Sequence, residues 1–215
     1  MSPVVLSLIV GAAATLVSLP GAVAVAWIIE RSKAPGRGLL QVVVMLPLVL
    51  PPVVTGYLLL WLFSPRGWLG WTGVAFHTLG AVVAAAVVGF PLFVMNISLA
   101  MKAVDPRLET VARTLGCSRW QAFRRVTLPL AWPGILSGAV LAFARGLGEF
   151  GATIVLAGRI PGETETIPLA IYGLLDRVNR DHSLEWLVGA SIAIAVACVF
   201  VSRAFDLRHR RRLGL

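Results

Sequence analysis

Apolar residues gather in five long stretches, from Val4 to Ile29, Leu39 to Phe63, Thr78 to Met101, Ile135 to Ala157 and Leu184 to Val201. Each is about 20 residues or more, enough to cross roughly 30 Å of hydrocarbon as a helix. They are too long, and too rich in small and branched residues, for the strands of a membrane barrel. Polar residues collect between them, chiefly in the connections 102–133 and 158–183. The pattern predicts an all-α membrane protein with about five transmembrane helices. No internal repeat or low-complexity tract divides residues 1–215, so they form one membrane domain.

Composition removes the competing classes. Of 215 residues, 58% are hydrophobic and 13% are charged. Too few polar residues remain to cover a water-facing surface, which excludes a soluble enzyme or a free nucleic-acid binder. Two cysteines, Cys117 and Cys198, make neither a disulfide framework nor a thiolate zinc site. His77, His182 and His209 are too scattered for a metal cluster, so no metal ligands are assigned.

The net charge of +9 matters through its placement. Arg31, Lys33 and Arg37 follow the first stretch. Lys102, Arg107, Arg113, Arg119, Arg124 and Arg125 follow the third. Arg203, Arg208, Arg210, Arg211 and Arg212 follow the fifth. These connections share one side of the membrane. The other side holds Arg66, Arg159, Arg177 and Arg180, so the count is fourteen against four. The positive-inside rule puts the amino terminus outside and the carboxyl terminus in the cytoplasm. The basic balance is thus an orientation signal, and no nucleic-acid partner is expected. Trp27, Trp61, Trp68, Trp71, Trp132 and Trp186 fall near span ends, as in an aromatic belt. Ala22-Val23-Ala24 has the small-x-small look of a signal cleavage site. No basic region precedes Val4 and the apolar stretch is too long, so the first helix is expected to be retained. The chain starts almost directly at this span, so no additional N-terminal helix is expected.

Within 102–133, Asp105 and Pro106 read as an N-cap and first turn. Leu108, Val111, Ala112 and Leu115 recur at helical spacing, and Gly116 reads as the C-terminal stop. Trp120, Phe123 and Val126 continue an apolar face on a second short helix, which Leu128-Pro129 and Trp132-Pro133 are expected to end. On amphipathicity alone, two readings stand: a helix pair lying on the membrane surface, or a docking element whose apolar face enters a groove on a cytoplasmic protein.

The fourth stretch carries Arg145 and Glu149, four residues apart on one helix face. Ionisable groups inside a span face a water-filled path or one another. The pair is therefore a candidate path or gate element, or a self-neutralising ion pair. Gly146, Gly148 and Gly151 allow close helix approach and weaken the helix. Pro47, Pro51 and Pro52 disturb the second stretch, which then faces a cavity or a helix interface, or is simply kinked.

The run Leu108-Glu109-Thr110-Val111-Ala112-Arg113-Thr114-Leu115-Gly116, followed after nine residues by Val126-Thr127-Leu128-Pro129, resembles the EAA loop of ABC-importer membrane subunits. The family pattern is Glu-Ala-Ala, three residues, Gly, nine residues, Ile, one residue, Leu-Pro. Ala112, Gly116, Leu128 and Pro129 match. Thr110 and Val111 stand where Glu and the first Ala are expected, Glu109 lies one place early, and Val126 replaces Ile. The runs 143–154, 160–172 and 46–57 are similar to those of molybdate permeases, and the likeness extends from the first span to the fifth. Sulfate permeases share the fourth-span glycines and Glu but differ in the outer loop.

The resemblance implies a type I ABC importer permease in a bacterial or archaeal cytoplasmic membrane, carrying molybdate and, by similarity of size and charge, tungstate. It implies a second copy of the chain, two cytoplasmic ABC ATPase subunits and an extracytoplasmic molybdate-binding protein. Glu109, Thr110, Val111, Ala112, Arg113, Leu115, Gly116, Val126, Leu128 and Pro129 would form the ATPase-coupling loop. Arg145, Gly148, Glu149, Gly151 and Thr153, with Pro51 and Pro52, would belong to the translocation path or gate. The chain has no Gly-x-x-x-x-Gly-Lys-Ser/Thr phosphate loop, so no catalytic residue or bound cofactor is assigned to it. ATP and Mg²⁺ would sit on the partner ATPase. A sulfate or thiosulfate permease, and a non-ABC channel or scaffold, remain the alternatives.

Overall fold

The structure is a computed structural model and describes residues 1–32, 35–175 and 182–213. Lys33, Arg177 and Arg180 of the charge argument lie outside these. For Arg208, Arg210, Arg211 and Arg212 only the backbone is described. Every regular element among the described residues is helical: α1 (Pro3–Arg31), α2 (Arg37–Val49), α3 (Pro52–Phe63), α4 (Thr78–Lys102), α5 (Pro106–Thr114), α6 (Arg119–Ala122), α7 (Leu128–Leu147), α8 (Gly151–Leu156), α9 (Ile167–Leu175) and α10 (His182–Leu213). A π-helical turn, Phe123–Thr127, joins α6 to α7. Four helical stretches are long and apolar enough to cross a membrane, or five if the bent pair α2–α3 is one span.

α1, α4 and α7 pack together, and α10 lies along α7. Small side chains line much of the helix packing, with Ala22, Ala26, Ala81, Ala84, Ala85 and Ala142 buried beside larger Phe93, Ile97, Met101 and Ile135. Larger apolar residues such as Leu16, Val17, Leu39 and Phe200 point outward and are more than two-thirds exposed. This is the arrangement of a lipid-facing bundle, where lipid satisfies outward apolar groups and close backbone approach supplies helix–helix packing.

Two predicted spans are broken. The stretch 39–63 is not one kinked helix: α2 and α3 meet at 111°. A residue before proline is driven out of the helical region. Two such residues follow each other here, Leu50 before Pro51 and Pro51 before Pro52, and both are extended, with ψ of 142° and 133°. The stretch 135–157 is also divided. α7 stops at Leu147, and α8 begins at Gly151 after Gly148, Glu149 and Phe150.

Conversely, the prolines expected to end the second short helix of 102–133 do not end it. The Leu128 N–H reaches back five residues to the Phe123 carbonyl, and this wider turn leads directly into α7. Pro129 follows this turn directly, so the wider turn absorbs its missing N–H, and Pro133 is carried inside the helix. The region 158–183 is likewise more than a loop. It contains α9, whose Ile167, Leu169, Ala170 and Gly173 are buried.

Candidate functional site: a loop helix at one end and a broken span within

Residues 105–127 form the candidate docking element. Asp105 caps α5 by accepting from the Arg107 N–H at 2.8 Å. Gly116, at φ +90°, closes it: the Gly116 N–H bonds the Arg113 carbonyl and the Cys117 N–H bonds the Ala112 carbonyl, both at 3.1 Å. Those two bonds define a Schellman C-terminus, which needs a left-handed residue at that position. Ser118 and Gln121 then cap α6 reciprocally, at 3.2 and 2.8 Å. Both short helices are thus punctuated by their own sequence.

α5 leaves its apolar stripe uncovered. Leu108, Val111 and Leu115 are 44%, 56% and 81% exposed. Thr110 and Arg113 are also exposed, while Ala112 is half-buried. Glu109 faces the other way. One residue turns an α-helix by about 100°, so a carboxylate one place early leaves the outward stripe. It meets the Arg31 guanidinium at the end of α1, Nε to Oε1 3.2 Å, and accepts from the Thr127 hydroxyl of the π turn. Val126 and Leu128 are half-buried and Pro129 is exposed, so these three flank the element rather than form its exposed stripe.

Two further contacts fasten the loop. Trp27 is not a lone belt residue: its ring lies 6.2 Å from Trp120 and 5.8 Å from Phe123, and those two rings stack at 5.4 Å. Lys102 pairs with Glu30 at 3.4 Å. Sequence reading missed Arg31, Trp27 and Thr127 as site residues. Arg31 registered only as an orientation charge, and no spacing linked it to Glu109.

The second candidate region lies in the broken span. Arg145 Nη1 donates to Glu149 Oε2 at 2.7 Å. The other carboxylate oxygen accepts from the Ala152 N–H at 2.9 Å, so the carboxylate also caps the first turn of α8. Glu149 is 3% exposed. The Arg145 side chain is a third exposed. The pair forms as the i,i+4 spacing predicts, although Glu149 stands beyond the end of α7. Gly151 packs against Pro52: a Cβ there would lie 2.9 Å from the Pro52 Cβ. Thr153 is buried, while Pro51 is exposed at the bend. The structure therefore brings Pro52, Gly151 and the Glu149-capped turn together at the two chain breaks. Gly148 lies to one side, lining an apolar cleft of about 390 Å³ with Ala144, Phe150, Ile167, Tyr172 and Ile194.

At the opposite end from α5, the segment after α8 is tied down. Arg159 pairs with Glu165 at 2.8 Å, His77 with Glu163 at 3.0 Å, and the terminal amine bonds the Gly162 carbonyl at 3.0 Å. The Ile167 N–H donates to Ser7 Oγ at 2.7 Å, which seats α9 on α1.

Residues 18–214 match the family described as the binding-protein-dependent transport system inner membrane component. The chain is 49% identical to the molybdenum transport system permease protein ModB of Escherichia coli (strain K12), over 98% of this chain and 95% of that one. The sulfate transport system permease protein CysT of the same strain is 37% identical, over 87% of this chain and 70% of that one. Among solved structures, an inward-facing MetNI methionine ABC transporter matches 97% of this chain and 91% of its own at TM-score 0.67 and 16% identity, a likeness of fold. With its helices arranged as in ABC importer permeases, the chain belongs to the binding-protein-dependent transport system inner membrane component family and is a multi-pass protein of the inner membrane.

Proposed function

We propose that this chain is the membrane subunit of an ATP-driven importer that moves molybdate, and with it tungstate, into the cell. The observation that carries the cargo is the near full-length identity to a molybdenum transport permease, well above that to a sulfate permease. Two copies would enclose the path. Two ABC ATPase subunits, holding ATP and Mg²⁺, would dock on the cytoplasmic side, and a molybdate-binding protein would deliver cargo at the other. The amino terminus would then lie outside.

Two exposed apolar residues on a capped nine-residue helix and a third at its C-cap, Leu115, support α5 as the ATPase-docking element. Such a stripe is what a groove on a partner takes up. ATP binding would close the ATPases and swing the α5 helices, and the movement would open the path to the binding protein. Arg145 would attract a dianion, with Glu149 offsetting its charge until the gate opens.

Uptake of labelled molybdate into cells carrying this chain, its ATPase and its binding protein tests the cargo. ATP-dependent uptake blocked by excess tungstate but not by sulfate is expected. Equal block by sulfate would move the assignment to a general sulfate-type oxyanion importer. Docking has its own test in Gly116. No atom lies within 4 Å of a Cβ built there, so a side chain meets only the left-handed backbone, at about 1–2 kcal/mol. Gly116→Val is expected to reduce co-purification of the ATPase, while Gly116→Asn retains it. Equal retention by both variants would show that the closure of α5 is unimportant for docking.

A further inference from the structure

We infer that Arg31, Glu109 and Thr127 form a clasp that makes the docking helix move as one body with α1, α4 and α7. This rests on the reading of α5 as the element that meets the ATPase.

Arg31 Nη2 donates to the Met101 and Val104 carbonyls at 2.8 and 2.9 Å, where α4 ends and the link to α5 begins. A guanidinium there adds a charged donor to carbonyls at the end of α4 and meets the negative end of the helix dipole. The same guanidinium faces Glu109 of α5. Glu109 in turn accepts from Thr127, the last residue of the π turn and fully buried. One arginine and one carboxylate therefore join the ends of α1 and α4, the docking helix and the entrance to α7. The Arg31 side chain is 11% exposed and that of Glu109 20%, so water competes weakly for either.

The position has mechanical consequences. A nine-residue helix held only by chain links at each end would rock under a partner without moving the bundle. An ion pair with Arg31 and a hydrogen bond from Thr127 to the ionised Glu109, both on its inner face, resist that rocking. The Trp27, Trp120 and Phe123 rings add an apolar contact beside the clasp. Glu109 is thus a positioning residue, turned away from the partner, while Leu108, Val111 and Leu115 meet it.

The test uses the complete complex, this chain with its ATPase and binding protein, in proteoliposomes. ATPase retention through purification, ATP hydrolysis and labelled molybdate taken up per ATP are measured for Arg31→Gln, Thr127→Val and Thr127→Ser. Retention is expected to stay at the wild-type level in all three. Uptake per ATP is expected to fall about tenfold in Arg31→Gln, which loses the ion pair with Glu109 and the charged donor to the Met101 and Val104 carbonyls. It should fall less in Thr127→Val and stay at the wild-type level in Thr127→Ser, which keeps the hydroxyl. The double variant Arg31→Gln with Thr127→Val should fall by less than the product of the two single effects, because both contact Glu109. If Arg31→Gln does not accumulate in the membrane, Thr127→Val against Thr127→Ser decides. Wild-type uptake per ATP in Thr127→Val and in any Arg31→Gln that accumulates overturns the clasp, as does loss of ATPase retention, which would place these residues in the docking contact itself. A wild-type chain that retains no ATPase overturns the docking reading and the clasp with it.

Discussion

Glu149→Ala is expected to destabilise the protein by about 3 kcal/mol, the lower end for breaking a buried ion pair, and to abolish oxyanion uptake. The low end applies because the Arg145 side chain is a third exposed and recovers some hydration. Two contacts disappear together: the 2.7 Å bond from Arg145 and the 2.9 Å bond from the Ala152 N–H that caps α8. Heat unfolding of the purified protein in detergent reads the first effect and labelled uptake reads the second. Glu149→Gln keeps an oxygen for the Ala152 N–H and is expected to lose less stability than Glu149→Ala. A double replacement, Arg145→Met with Glu149→Leu, separates the two roles. Removing both charges in favour of apolar groups of similar size is often neutral for stability. The double variant is therefore expected to regain most of the lost stability while uptake stays absent. Uptake at the wild-type rate in that variant would reduce the pair to a structural ion pair.

Gly56→Ala is expected to cost about 1–3 kcal/mol by overpacking, and Gly56→Leu more, to the point of blocking assembly. A Cβ at Gly56 would lie 2.8 Å from the Ala152 Cα and 2.9 Å from its carbonyl oxygen. Both are backbone atoms of α8, so no side chain can swing aside, and α3 and α8 must separate. Gly151 repeats the constraint from the other helix, where a Cβ would stand 2.9 Å from Pro52. Gly21→Ala in α1 is the matched control. Its Cβ would meet only the Phe90 ring, at 3.6 Å or more. Alanine is the better helix former by about 1 kcal/mol, so that variant should be at least as stable as the parent. Unfolding temperatures of the two alanine variants, measured side by side, check this. A Gly56→Ala protein as stable as Gly21→Ala would mean that α3 and α8 do not meet through Gly56.

Much of the molecule was legible along the chain. The caps and stop of α5 could be read from Asp105, Pro106 and Gly116 because a helix end is satisfied by its nearest neighbours. The ion pair Arg145–Glu149 could be read because four residues bring two side chains to one face. The helix breaks were less legible. Pro51 and Pro52 announced a disturbance, yet a kink and a 111° bend look alike in one dimension. The glycines near 148 suggested weakness, but not that Glu149 would become the cap of a new helix. Pro129 and Pro133 misled outright, since a π turn absorbed the first and α7 carried the second.

By itself the sequence determined that the protein is a helical membrane bundle, where α5 begins and ends, and which two charges share one face of the fourth span. These depend on hydropathy, capping and spacing, which act over one or two turns of chain. Tertiary structure alone decided that Glu109 points inward, that Arg31 reaches the end of α4 and Glu109 of α5, and that α8 leans on α3 through two glycines. Each joins residues from separate helices, and their meeting depends on how closely small side chains let those helices pack, a distance that no interval along the chain contains.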